Sequence, residues 1–268
     1  MVTINSNYAA SFAANAAKQT ENSLNSAMEK LSTGKRINSA RDDAAGQALS
    51  MRLAAEISGL KVASRNASDG QSLVDTAEGA LKESHSLLIR MRELAVQAQN
   101  GTLVTSDKEA LALEFDALEA EVTRISDSTT WGGVQILAGA NPGGHKFRVG
   151  TSEDITHVIA NMAATAIGIV AANTVAHADT ITNLDTAIAN VSKERAKLGA
   201  VSNRLDSTVS NLDQIRVNLS ASKGRIEDAD FAQETGNLAK GQILQQAATA
   251  MLAQANVSKS TVLSLIQS

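Results

Sequence analysis

The chain has 268 residues, 43% of them hydrophobic, with six aromatics, one proline, no cysteine and a formal charge of −4. That is enough chain for one large domain or two small ones, with a core built from Leu, Ile, Val, Met and Ala. The missing cysteines exclude disulfides, thiolate metal sites and cysteine nucleophiles; the charge argues against nucleic acid, and no apolar run is long enough to predict a membrane span.

The first 33 residues are rich in Ala, Asn and Ser, with sparse large apolar side chains at Ile4, Tyr8, Phe12, Leu24, Met28 and Leu31. There is no charge before Lys18 and no leucine-rich stretch, so no cleaved secretory signal is expected. The first long helix is predicted from about residue 42 to 99, about 85 Å at ~1.5 Å per residue. Two heptad tracks mark it, Leu53-Leu60-Ala67-Val74-Leu81-Leu88-Ala95 and Ala63-Gly70-Ala77-Ser84-Met91-Ala98. Interleaved, they form a coiled-coil seam of apolar and small residues. A shorter helix follows with Leu111, Phe115, Leu118, Val122 and Ile125 at alternating steps of four and three. Capping boxes are expected at Ser39 with Asp42, Ser106 with Glu109, and Thr182 with Asp185.

Six of the 17 glycines and Pro142 fall within residues 132–150. With Val134–Ile136, Phe147–Val149 and Ile155–Val158, they predict two or three short strands. Residues 161–180 read equally as helix or loop. From Leu184 every seventh residue is a large aliphatic: Val191, Leu198, Leu205, Leu212, Leu219 and Ile226. The last segment, 235–268, carries two lysines and no acid. Its seam is Leu244-Ala248-Met251-Ala255-Ser258-Val262-Leu265. The two ends are amphipathic, yet their buried faces would be mostly Ala and Ser. Segments of this length rarely stabilise themselves, so they need each other or other molecules. The expected fold is mainly α, a long antiparallel helical rod or coiled-coil bundle with a small β-hairpin region mid-chain.

A search for chemistry returns little. The four histidines show no zinc-hydrolase spacing, and none has a glutamate three residues before it, as a bundle metalloenzyme would require. Lys35 of STGKR lacks the glycine and hydroxyl of a phosphate-binding loop. The pairs Asp42-Asp43 and Glu227-Asp228 sit near helix ends, where carboxylates serve the helix dipole or pair with Arg41 and Arg225. No nucleophile, base and oxyanion hole can be assembled, and no enzyme, cofactor or metal is expected. Assembly accounts better for amphipathic ends that lack a core of their own.

Six strings carry a resemblance: LSTGKRINSARDDAAGQAL (31–49), ASRNASDG (63–70), RMRELAVQ (90–97), LGAVSNRL (198–205), RIEDADFA (225–232) and ILQQAATAMLAQAN (243–256). In these the chain resembles bacterial flagellin, over about residues 1–137 and 181–268. The resemblance implies a structural subunit of the extracellular flagellar filament, exported unfolded and self-assembling into a helical tube. It implies inner-tube helices at 1–34 and 235–268, a connecting loop at 35–44, and N-terminal rod helices at 45–130. A β-hairpin and short variable region would occupy 131–180, a C-terminal rod helix 181–224, and a connecting segment 225–234. Large outer domains should be absent. Assembly residues would include Leu24, Leu31, Arg41, Asp42, Asp43, Leu244, Met251, Leu252 and Leu265, with Arg41, Asp42 and Asp43 as intersubunit charges. Implied partners are other copies of the chain, sister flagellins, an export chaperone at the C-terminal segment, and hook-associated junction and cap proteins. A host Toll-like receptor would contact Arg90, Leu94 and Glu114; Ile89 departs from the polar residue common in strongly stimulatory members. Two rivals are a hook–filament junction protein, which shares similar ends, and a coiled-coil signalling adaptor, which offers no reason for unstable ends.

Overall fold

The computed structural model describes residues 6–150, 153–169, 175 and 178–267, with Ala178 and 259–267 described by backbone alone. In chain order the helices are α1 (Tyr8–Thr33), α2 (Ala44–Ala98), α3 (Thr105–Ser128), α4 (Ala178–Glu227) and α5 (Phe231–Gln267). Between α3 and α4 lie β1 (Thr130–Trp131), β2 (Val134–Gln135), β3 (His145–Arg148) and β4 (Asp154–His157). The chain divides into two compact units, one from residues 57–217 and one from the two ends, 1–56 and 218–268.

The central unit holds the hydrophobic core. Every position of the predicted α2 seam from Ala63 to Ala98 is buried, as are Leu184, Val191, Leu198, Leu205 and Leu212 of α4. α2 and α4 run antiparallel, as their side-chain bonds require: Gln71 reaches Asp206 at 2.9 Å, Arg195 reaches Glu78 at 2.6 Å, and Arg92 reaches Asp185 at 2.5 Å. α3 adds Phe115 and Val122, both fully buried.

The mid-chain region forms two hairpins and not a single one. β1 and β2 are antiparallel across Gly132-Gly133, whose φ values of 58° and 84° are those of a two-residue turn with the twist strands prefer. β3 and β4 pair His145 with His157 and Phe147 with Ile155, so these four side chains share the less exposed face. This region is part of the core: Ile136, Leu137, Ile155, Ile159, Met162, Ala164, Ile167 and Ile169 are all buried. The carbonyl of Leu137 accepts from Met162 N at 2.8 Å and from Ser126 Oγ at 3.2 Å, tying the loop to α3. Within 161–180, residues 163–169 form a chain of turns, and α4 already begins at Ala178. Residues 170–174 and 176–177 lie outside the described residues.

Two of the three expected caps are replaced by neighbours, and the third lies inside its helix. α2 is capped by Asp43, whose Oδ1 accepts from Gly46 N at 2.8 Å. Asp42 closes the preceding turn instead, accepting from Asn38 N, Ser39 N and Ser39 Oγ. At α3, Asp107 Oδ2 accepts from Val104 N at 3.4 Å while Val104 O accepts from Asp107 N, so the reciprocal pair lies two residues before Ser106 and Glu109. Thr182 sits inside α4. At α2 and α3 a nearby acid competes for the same orphan amides.

Gly70 shows how the β region docks. A Cβ on it would lie 2.7 Å from Cδ1 of the Phe147 ring, so the missing side chain is the seat for that ring. Gly70→Ala therefore lowers the thermal midpoint of the central unit by an overpacking cost of about 1–3 kcal/mol. In a Phe147→Ala background the same change has no ring to meet and recovers the helix propensity of alanine, about 1 kcal/mol. A double-mutant cycle of calorimetric melts measures the difference in sign.

Candidate assembly surface

The terminal unit is built on α1 and α5. Asn7 Nδ2 donates to Ala255 O at 3.3 Å at one end of the pair, and Lys30 Nζ lies 3.5 Å from Glu234 Oε1 at the other, so the helices are antiparallel. Their backbones come close because small residues line the seam. A Cβ on Gly241 would stand 3.3–3.7 Å from the side chain and Cα of Leu24. Asn7 caps α1 by accepting from Ala10 N at 3.0 Å, and Gly34 ends it at φ 69°, the left-handed conformation glycine adopts without strain. Asp230 caps α5, accepting from Ala232 N at 2.9 Å. Residues 228–230 connect α4 to α5.

Close approach does not mean burial. In α1 only Ala13 and Ala27 are buried apolar residues. Tyr8 is 74% exposed, Phe12 78% and Met251 64%; Met28, Leu244, Ile243, Val257 and Phe231 are also exposed. The predicted α5 seam, from Leu244 through Ala248, Met251 and Ala255 to Ser258, lines an open apolar groove of about 430 Å³. The facing wall is Ala9, Phe12, Ala13, Ala16 and Thr20 of α1. The heptad pattern is thus present, and its seam stands unfilled.

The expected assembly residues distribute over this surface. Leu24, Leu31 and Leu252 are half-buried; Leu244 and Met251 are exposed in the groove. Leu265 falls outside the residues whose side chains are described. Arg41 is exposed, while Asp42 and Asp43 are engaged within the chain as turn and cap acceptors, Asp43 also lying 3.6 Å from Arg36. Their hydrogen bonds hold the Asp42 carboxyl below its ordinary range, those from Ser39 first. In the central unit, Arg90 donates to Glu114 Oε1 at 2.8 Å and to Glu93 Oε2 at 3.1 Å on the surface. Leu94, expected beside Arg90 and Glu114, is 1% exposed and packs in the core.

Sequence reading missed a knot of charge. Glu227, at the end of α4, is buried and meets Lys35 through an ion pair, Ser50 Oγ at 2.8 Å and Lys223 Nζ at 3.2 Å. Around it the loop after α1 is strapped to the α4–α5 connection: Arg36 N donates to Glu227 O at 2.7 Å, Arg36 Nη2 to Ile226 O at 2.7 Å, and Ala229 N to Gly34 O at 3.0 Å. The bond from Lys35, then that from Ser50, hold the Glu227 carboxyl down to about 2. The signal available beforehand was an acid one residue after the last position of a heptad track, with Lys223 four residues earlier; its distant partners Lys35 and Ser50 leave no local pattern.

The family model described as the bacterial flagellin N-terminal helical region matches residues 4–142, and the C-terminal helical region matches residues 181–266. Flagellin of Halalkalibacterium halodurans is 43% identical, with 90% of this chain and 91% of that protein covered. Flagellin of Bacillus subtilis is 40% identical, with coverage of 98% and 99%. Among solved structures, one described as a flagellar hook-associated protein of Vibrio parahaemolyticus aligns with a TM-score of 0.60 at 14% identity. It covers 70% of this chain and 100% of that one, a likeness of fold alone.

The Glu227 knot has a pH signature. A carboxyl held low in the folded state contributes stability that is present above its unfolded value, near 4.5, and lost as pH falls toward about 2. Glu227→Gln is expected to cost about 1–2 kcal/mol at neutral pH, the value being reduced because half-exposed Lys35 leaves the pair open to solvent screening. Thermal melts of the two proteins should converge as pH is lowered through that window.

Proposed function

The chain belongs to the bacterial flagellin family, and we propose that its open α1–α5 surface is the self-association surface of that family. The protein is a structural subunit of the extracellular flagellar filament and polymerises with copies of itself; the family is structural and not enzymatic. The observation that carries the proposed surface is the unfilled seam: Phe12, Leu244 and Met251 line an apolar groove that one chain leaves open. A second copy that inserts apolar side chains there removes this surface from water and stabilises both helices at once.

On this reading residues 1–34 and 235–268 form the inner tube, with 35–44 and 225–234 as connecting segments. The rod layer would be residues 45–130 and 181–224, and 131–180 a compact variable region without outer domains. Arg41 is the charge of the connecting loop with a free surface for an intersubunit contact, since Asp42 and Asp43 already serve the chain itself. The chain is exported unfolded, with a chaperone on the C-terminal segment, where Phe231 and Ile243 are exposed apolar anchors. Junction and cap proteins meet the same terminal helices at the two ends of the polymer. Sister flagellins would enter through the same surface. The exposed Arg90–Glu114 pair is the proposed point for a Toll-like receptor. The junction-protein reading has only a likeness of fold behind it, whereas flagellin relatives match over nearly the full length of both chains.

Met251→Asp places a charge in the groove at an exposed position, so the monomer is little disturbed. Purified wild-type protein should form long filaments by electron microscopy, while Met251→Asp yields none and keeps the thermal melt of the central unit. Long filaments from the variant would rule the groove out as the contact. A second measurement reads the monomer. Amides of α1 and α5 should exchange fast in dilute solution and slowly in the filament. Equal protection in both states would contradict coupled ordering.

A further inference from the structure

One buried acid in the central unit has no part in the assembly surface. Glu194 occupies the α4 seam between Ala187 and Val201, where the heptad pattern calls for an apolar residue, and it is 2% exposed. Its Oε2 accepts from Lys197 Nζ at 2.8 Å. Its Oε1 faces the end of β4, 3.4 Å from Ala160 N and 3.6 Å from His157 Nε2. That distance is too long for a hydrogen bond, and Nε2 of His157 is buried with no partner. Across the β3–β4 ladder His157 is paired with His145, on the same inward face as Phe147 and Ile155. Two imidazoles therefore sit at core-facing positions of one hairpin, over a carboxylate that already holds a lysine. Among the described residues no group of three side chains has the arrangement of a metal site, so the ligand this cluster can take is the proton.

We propose that Glu194, His157 and His145 form an acid-sensitive clasp that holds the β3–β4 hairpin and residues 158–160 on α4 while both imidazoles are neutral, and releases them when the imidazoles take up protons. The groups facing His157 are Glu194 and Lys197 from α4 and His145 from β3. Protonating both imidazoles gives three cations around one carboxylate, with Glu194 and His157 largely shielded from water and Lys197 half exposed. Lys197 already occupies one carboxylate oxygen, leaving the second to answer two new charges. Burial, the leading cause, pushes the His157 imidazole below its ordinary range; Glu194 opposes this, and Lys197 and His145 reinforce it. Burial pushes His145 the same way. The sign follows: a histidine lowered in the folded state contributes stability that is present above its unfolded value of 6.5 and lost as pH falls below it. What opens is a clasp over Ile155 and Ile159, which are buried when it is closed.

Hydrogen exchange on the full-length chain, kept monomeric by dilution and corrected for intrinsic rates, tests this. Amides 155–160 are compared at about pH 7.5 and about pH 5.5, with the α2 amides 74–95 as internal reference. Each proton taken up on opening favours the open form by up to about tenfold per pH unit. Protection at Ile155 and Ala160 should therefore fall about tenfold or more on acidification, with the reference unchanged. His157→Gln and His145→Gln each keep only one of the two titrating imidazoles, so each should lose less protection than wild type across that range. Protection that stays constant or rises in wild-type protein would overturn the proposal, the latter because it would mean that the His157–Glu194 pair tightens on protonation. A loss in both histidine variants as large as that of wild type would overturn it too.

Discussion

Everything in the terminal unit depends on how closely α1 and α5 approach. Gly241 against Leu24, with Ala13, Ala16, Ala27, Ala248 and Ala255 along the same pair, lets two backbones lie almost in contact. Small residues make such proximity possible, and for the same reason they remove little apolar area from water. A methyl contributes about 0.8 kcal/mol where a buried Leu or Ile contributes about 1.5–3 kcal/mol. Meanwhile the large side chains that could supply more, Tyr8, Phe12, Ile243 and Met251, remain exposed. Two helices cannot bury both a narrow seam and their outer faces. The remainder has to be buried by other molecules, and this is the physical content of calling the chain a polymer subunit.

The central unit resolves the same problem differently. Its seams alternate small residues of α2, such as Ala67, Ala77 and Ala95, with Leu81, Leu88 and Met91, and α4 answers with Leu198 and Leu205. The helices pack around large side chains, and α3 and the two hairpins close the open flanks. Here the core is complete within one chain. One sequence thus carries a part finished on its own and a part finished by neighbours, and the difference is the size of residues at equivalent heptad positions.

Much of this was legible from residue spacing. The α2 and α4 seams, the face of α3 with Phe115 and Val122, and the strands near 134, 147 and 155 all fall where periodicity puts them. Spacing also identified α5 as amphipathic, but a heptad pattern cannot tell a filled seam from an open groove, because both need the same apolar positions. Caps slipped by a few residues, since Asp43 and Asp107 compete with the serine and threonine hydroxyls for the same amides. The mid-chain segment read as short strands followed by helix or loop, and its aliphatic residues are too irregularly spaced to announce that they fill a core. Least legible were Glu194 and Glu227, whose partners lie dozens to hundreds of positions away in the chain.

Those two carboxylates share a logic. Each sits on α4 where a non-helical segment meets the helix, and each takes backbone or hydroxyl donors that no aliphatic residue could answer: Ala160 N for Glu194 and Ser50 Oγ for Glu227. A buried ion pair of this kind adds little net stability over a well-packed apolar replacement, because desolvation offsets most of the attraction. Its effect is on position. Ala- and Leu-lined seams repeat every seven residues, so sliding by one heptad would cost them little. A single acid that must meet Lys35 and Ser50 together, or Lys197 and the 157–160 segment together, is satisfied in one register only. Where periodic packing leaves alignment open, the charges decide it.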